Sequence, residues 1–279
     1  QLRQVNTDYI TGSTQIDEAL RKSTLGAIIS NQKIQAYNND STAIVFDMTG
    51  VFLSDNKKMS PFDRNSIYGM YNRTENYQSD CSYISQIKAF KDNVSIKSCL
   101  SYTFSVSNSQ GASLIKDRPF TAEMTRSIML LKEKPYRPRM ADYRIGVFFT
   151  GREQLGEGAK TTAPVYYANR WDIQPSDTAA YLRGEKVKPT KQIVFYIDNT
   201  FPEKWKPYLR EGVTQWNELF EQIGFKDVVA AKDFPTDDPE FDPDNIKYSC
   251  VRYAPSSIEN AMGPSWVDPR SGEILNASV

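Results

Sequence analysis

The stretch that most restricts the fold is Pro202-Glu-Lys-Trp-Lys-Pro-Tyr-Leu-Arg-Glu-Gly-Val-Thr-Gln-Trp-Asn-Glu-Leu-Phe-Glu-Gln-Ile-Gly224. Leu209, Val213, Trp216, Phe220 and Ile223 recur at alternating steps of four and three residues, which is the period of one helical face. Arg210, Glu211, Thr214, Gln215, Glu218 and Gln222 fall on the other side, so the spacing predicts a surface helix laid over a core. Thr200 followed by Glu203 reads as a capping box. Pro207 has no N–H to donate and fits only a first turn, so the regular helix is expected to start near Trp205 or Lys206. Gly224 stands where a left-handed residue ends a helix.

What surrounds this helix gives it a context. Gln192–Asp198 before it is a β-branched and aromatic run of strand length, and Val228–Lys232, Lys247–Tyr253 and Glu273–Val279 follow it. The order is strand, helix, strand, strand, strand, with the turn Asp268-Pro-Arg-Ser-Gly272 before the last.

The runs Ile193-Val-Phe-Tyr-Ile-Asp198, Pro202–Asn217, Gly224-Phe-Lys226, Asp242-Pro-Asp244 and Gly263-Pro-Ser-Trp-Val-Asp-Pro-Arg-Ser-Gly-Glu-Ile-Leu275 carry a resemblance. Together they resemble the start of the catalytic domain of a bacterial family of zinc-dependent metalloproteases of the metzincin type. Earlier in the chain, Thr42-Ala-Ile-Val-Phe-Asp-Met-Thr49, Phe52-Leu-Ser-Asp55, Leu130-Leu-Lys-Glu-Lys-Pro135 and Arg137-Pro-Arg-Met-Ala-Asp-Tyr-Arg-Ile-Gly-Val-Phe148 resemble the same family's β-rich domain of unknown function. The resemblance implies an α+β chain: an antiparallel β-rich domain over residues 1–185, then residues 190–279 as the strand-helix-strand-strand-strand upper half of a metzincin-like catalytic domain. It also implies a parent that is a zinc-dependent endopeptidase acting on protein or peptide substrates outside the cytoplasm, whether periplasmic, secreted or surface-attached.

One absence limits what can be carried over. The metzincin site is H-E-x-x-H-x-x-G-x-x-H, in which three histidines bind Zn²⁺ and the glutamate acts as general base. The chain contains no histidine. No residue is therefore assigned as zinc ligand or catalytic base, zinc is expected only in the full-length parent, and these residues alone are expected to lack protease activity. The expected reason is truncation before the zinc helix.

Two site assignments do follow from the resemblance. In metzincins the edge strand of the upper sheet pairs antiparallel with the substrate backbone, which points to Ile274, Leu275, Asn276 and Ala277 as substrate-binding residues, with an ordinary interior strand as the equal alternative. Asp142, just before a strand and near the catalytic half, is a candidate zinc-capping carboxylate. Its alternative is an ion pair to Arg137, Arg139 or Arg144.

A length of 279 residues with 39% hydrophobic content is enough for one large or two ordinary domains with real cores. No run of 18 apolar residues marks a transmembrane helix, and the beginning Gln1-Leu-Arg-Gln-Val-Asn lacks a signal-peptide core, so any export signal is expected to be removed or to lie upstream. Zero formal net charge argues against a nucleic-acid binder that relies on neutralising phosphates. Cys81, Cys99 and Cys250 are too few for a disulfide scaffold and are not spaced as metal pairs. Cys99 and Cys250 read as buried small hydrophobes, and a Cys81–Cys99 disulfide is the alternative in an exported protein.

Within residues 1–185, Lys33–Tyr37 and Thr42–Met48 flank Asn38-Asn-Asp-Ser41 as a hairpin, and Ile16–Lys22 reads as a short helix. Tyr83–Phe90, Val94–Val106, Met124–Leu131, Arg144–Thr150 and Val165–Trp171 are further strand candidates. Asp55–Gln78 reads as a long polar loop, Gly151–Thr162 as a flexible excursion without the ending of a phosphate loop, and Leu182–Thr190 as the domain boundary. The loop Asp233–Asp244 alternates acidic groups as a Ca²⁺ loop does but lacks its glycine and distal glutamate, so a solvated acidic loop is the plainer reading. The 12% aromatic content suits packing, with stacking on a glycan as the rival use. The rival to the protease reading as a whole is a non-catalytic binding module for glycan or protein.

Overall fold

The β-branched and aromatic run of residues 193–197 becomes the middle strand of a small parallel sheet, and its neighbours are placed by it. The computed structural model describes residues 1–56, 59–62, 71–156, 162–256 and 260–279. Along the chain come β1 (Leu2–Arg3), β2 (Tyr9–Thr11), α1 (Thr14–Ser23), β3 (Ile28–Ser30), β4 (Ile34–Tyr37), β5 (Ile44–Phe46) and α2 (Thr49–Phe52). Three long strands follow: β6 (Tyr71–Ala89), β7 (Asn93–Asn108) and β8 (Ser113–Met129). Then come β9 (Phe149–Leu155), β10 (Thr162–Ala168), α3 (Thr178–Leu182), β11 (Ile193–Ile197), α4 (Lys206–Thr214) and α5 (Asn217–Gln222). The chain closes with β12 (Val229–Asp233), β13 (Ser249–Val251), β14 (Ser265–Val267) and β15 (Ile274–Ala277). With 41% strand against 13% helix, the chain is β-rich α+β.

Two compact units divide it: residues 1–6 with 24–130, and residues 7–23 with 131–279. The first is built on the antiparallel meander β6–β7–β8. Along β7, Ile96, Ser98, Leu100 and Tyr102 share one face while Ser95, Lys97, Cys99 and Ser101 share the other. Val51 and Phe52 of α2 are buried with Ile96. The expected hairpin β4–β5 forms, with Asn38 Oδ1 accepting the Ala43 amide at 2.7 Å across the turn. The expected loop over Asp55–Gln78 ends earlier, because Tyr71–Gln78 is the first part of β6, in register with residues 101–108 of β7. Its Asn, Arg, Thr and Glu carry no apolar alternation, so only the partner strand defines it. Residues 57–58 and 63–70 of that stretch lie outside the described residues.

In the second unit, β9 pairs antiparallel with β10 and parallel with β2, and α1 forms where the short helix is expected. The strand expected over Arg144–Thr150 is strand only from Phe149. Asp142 Oδ1 accepts the Arg144 amide at 3.0 Å and the Asp142 carbonyl accepts the Ile145 amide at 3.0 Å, a turn that the aspartate's short acceptor favours. The expected excursion from Gly151 is strand through Leu155 and again from Thr162; residues 157–161 lie outside the described residues.

β11 pairs parallel with β12 on one side and β13 on the other. Between β11 and β12 the expected helix begins at Lys206 as read but breaks into α4 and α5. The Thr214 hydroxyl donates back to the Arg210 carbonyl at 2.8 Å, a bond that bends helices. The break turns Asn217 inward in place of Trp216, which is 60% exposed, as Ile223 also is exposed. Asn217 Oδ1 accepts the Val228 and Val229 amides at 2.9 and 2.8 Å, and its Nδ2 donates to the Val229 carbonyl at 2.8 Å. Val213 and Phe220 pack on the core of Ala180, Val187, Ile193, Phe225, Val228 and Val229. The capping box does not form: the Thr200 hydroxyl donates to Asp198, and Glu203 pairs with Lys206 Nζ at 2.6 Å. Gly224 does end the helix, at φ +87, where a Cβ would meet the Tyr181 ring at 2.9 Å.

Residues 182–190, the stretch read as a boundary, lie in the second unit, where Val187 is buried and exchanges backbone hydrogen bonds with Gly224 and Lys226. Asn217→Ala strands two amides and a carbonyl and is expected to cost about 2 kcal/mol in urea unfolding. Trp216→Gln, at an exposed position, should fall within about 0.5 kcal/mol of the parent.

Candidate functional site

The hairpin β14–β15 is held by the turn between its strands. Asp268, 1% exposed, accepts the Arg270 amide at 2.9 Å and the Arg270 guanidinium at 3.0 and 2.8 Å. Gly272 closes the turn at φ +76, and a Cβ there would lie 2.7 Å from the Ala168 carbonyl oxygen, so the end of β10 approaches as only glycine allows. Arg170 then bridges to Glu273: its amide donates to the Gly272 carbonyl and its carbonyl accepts from Ile274, both at 2.9 Å.

Charged side chains converge on this crossing. Lys132 Nζ meets Glu273 at 2.7 Å and Asp172 at 3.6 Å, and the Lys132 carbonyl accepts from Arg270 at 2.7 Å. Arg152 donates to the Pro269 and Tyr9 carbonyls at 3.3 and 2.6 Å. The Arg170 guanidinium lies over the Tyr136 ring at 4.2 Å and donates to that residue's hydroxyl. Glu273 is 5% exposed, and its second carboxylate oxygen has no hydrogen-bond partner.

Ile274–Ala277 is not at a free edge. Asn276, 1% exposed, donates to the Ile246 and Tyr248 carbonyls at 2.8 and 2.9 Å, while Val279 donates to Cys250 at 2.9 Å and accepts from Arg252 at 2.7 Å. The strand and its continuation therefore lie between β13 and β14, and the four residues read as an edge take the interior alternative. The outer position belongs to β14. Ser278 donates to the Pro264 carbonyl at 3.2 Å, and antiparallel alternation then turns the Ser265 N–H and C=O away from β15. Among the described residues no strand pairs with that side of β14. Three residues between Gly263-Pro264 and Asp268-Pro269 are too few to show alternation, and those flanking breakers are the only signal of the strand.

Asp142 takes its ion-pair alternative, with Arg144 Nε and Nη2 on its two oxygens at 2.9 and 2.6 Å. That hydrogen bonding holds the carboxyl below its ordinary range. All three cysteines are free: Cys81 is exposed, Cys99 is half-buried, and burial pushes the Cys250 thiol up to about 11. In the acidic loop, Asp238 and Asp242 accept the loop's own amides at Glu240 and Asp244. The loop is anchored through Phe241, whose ring centre lies 4.9 Å from those of Tyr196 and Tyr248. Among the described residues no three His, Cys, Asp or Glu side chains converge as a metal group. With no histidine in the chain either, the residues present do not fit a metzincin zinc.

No helix among the described residues is long and apolar enough to cross a membrane. Residues 1–176 match the family described as "Domain of unknown function (DUF5117)", and since this is more than half of the chain, the chain belongs to that family. No curated protein and no solved structure matches it.

Burial would raise the Asp268 carboxyl, but the hydrogen bonds and charge of Arg270 outweigh it and hold the group below its ordinary value. A carboxyl depressed in the folded state stabilises above its unfolded pKa, about 3.9, and the contribution is lost as pH falls through the folded value. Unfolding stability is thus expected to drop below about pH 4, and Asp268→Asn should be less stable at pH 7 with a shallower acid limb. Thiol titration with a disulfide reagent at pH 8 should label Cys81 at once and Cys250 only on unfolding, because thiolate and access are both needed.

Proposed function

We propose that the chain is the front part of an extracytoplasmic zinc-dependent endopeptidase of the metzincin type, and that β14 holds an extended substrate peptide by antiparallel strand addition. The observation that carries this reading is the outward N–H and C=O of Ser265 on a strand edge that no described strand pairs with, beside exposed Trp266 and Met262. An edge amide and carbonyl recognise any peptide backbone, while neighbouring side chains select among peptides. Further support comes from the order of elements. A parallel pair, β11 and β12, is joined through α4 and α5; β13 follows on the other side of β11; and a hairpin then adds an outer strand of opposite sense.

In such an enzyme zinc would supply the chemistry of peptide hydrolysis. No residue of this sequence is given a part in that step, because the chain lacks the histidines the site requires. The proposal assigns the ligands to residues outside this sequence and leaves this chain the task of holding the peptide. The same lack of histidine favours the second reading, a binding module that engages extended protein segments without cutting them.

Both readings are tested with casein as an unstructured probe. Casein should slow hydrogen exchange at the Ser265 amide, and Ser265→Pro should abolish that binding while sparing the hairpin, whose bonds use other amides. Unchanged exchange, or undiminished binding by the variant, would remove the peptide-edge role. The product of the whole reading frame should cleave casein and lose the activity to a zinc chelator; edge binding without cleavage would leave the binding module.

A further inference from the structure

Arg126 is a buried cation with no acid paired to it among the described residues. It lies on β8 opposite Ile96, is 9% exposed, and donates through Nη1 to the Phe52 carbonyl at 3.2 Å, with the Phe52 ring 5.8 Å away. Its Nε and Nη2 are buried and meet no acceptor. Among the described residues no carboxylate forms an ion pair with it. Those two nitrogens form one edge of the guanidinium, the edge spaced to grip both oxygens of a carboxylate.

On the same sheet the buried hydroxyls of Ser98 and Tyr77 have no hydrogen-bond partner among the described residues, and the buried Tyr102 hydroxyl has the Ser60 side chain near it. The register pairs Tyr77 of β6 directly with Tyr102 of β7, and Tyr102, Leu100, Ser98 and Ile96 follow one another on the face that carries Arg126. Burial lowers the guanidinium's pKa, and the phenols of Tyr102 and Tyr77 are near enough to act against it. Phe62 packs edge-on against Tyr102 at 5.0 Å, and Tyr77 lies 5.5 Å from Tyr102, so the surroundings are aromatic.

We propose that Arg126, with the hydroxyls of Tyr77, Tyr102 and Ser98, is a binding site for a small monocarboxylate with an apolar body. Arginine stays charged even when buried, so lowering its pKa does not relieve the desolvation cost, and one carbonyl with one ring face does not balance a full charge. A single carboxylate neutralises it and fills both free donors. A phosphate group, near two negative charges at neutral pH, would leave an excess negative charge against the single guanidinium. The site lies in the first unit and does not rest on the peptidase reading.

Benzoate is a suitable probe, compared with phosphate and chloride at one ionic strength. Benzoate should raise the melting temperature of the full chain saturably, with no rise for chloride. Arg126→Met should abolish the effect, and Tyr77→Phe should weaken benzoate binding severalfold in calorimetry. No saturable rise, or an equal rise in Arg126→Met, overturns the site. Should Arg126→Met not fold, unchanged affinity in both Tyr77→Phe and Tyr102→Phe overturns it instead. Phosphate binding as tight as benzoate overturns the carboxylate assignment.

Discussion

The second unit depends on the crossing where the end of β10 meets the turn from Asp268 to Glu273. Gly272 is in a left-handed conformation beneath the Ala168 carbonyl, and a methyl group there would collide with backbone. Arg170 can bond the Gly272 carbonyl and the Ile274 amide only because of that approach. The buried charges follow from it. A paired buried charge adds little net stability, but slipping the register by one residue would strand Glu273 away from Lys132, so the ion pair selects this alignment. β15 is thereby fixed beside β13, and β14 becomes the outermost strand.

The same crossing joins parts of the chain that lie far apart in sequence. The family match over residues 1–176 takes in all of the first unit, but it also contains residues 7–23 and 131–176, which belong to the second. The family segment is therefore not one compact body. Its final stretch supplies Lys132, Arg152, Arg170 and Asp172, the side chains gathered around the 268–273 turn.

Strands with dense β-branched or alternating residues, such as Ile193–Ile197 and the core of β7, were legible in the sequence, as was the glycine that ends α5. The stripe on the helix was half legible. Val213 and Phe220 pack on the core, but the periodicity could not show that Thr214 would bend the helix and that an asparagine would take the place of Trp216. A polar residue that satisfies three backbone groups outweighs the larger apolar area of tryptophan at that position, and hydrophobic patterning does not register such a trade. Tyr71–Gln78 and β14 were missed because each owes its strand to a partner found elsewhere in the chain. At the candidate site, the turn Asp268–Gly272 was visible, whereas which of its flanking strands is the edge depended on pairing with β13.

Native-state hydrogen exchange tests the central claim, that the crossing and the parallel sheet form one cooperative body. The Arg170 and Ile274 amides, which bond across the crossing, should open with the same free energy as Ile193, whose amide bonds Val228 in the core of the sheet. Opening of Arg170 and Ile274 at markedly lower free energy, with Ile193 still protected, would mean that the crossing is a loose association and would contradict the account.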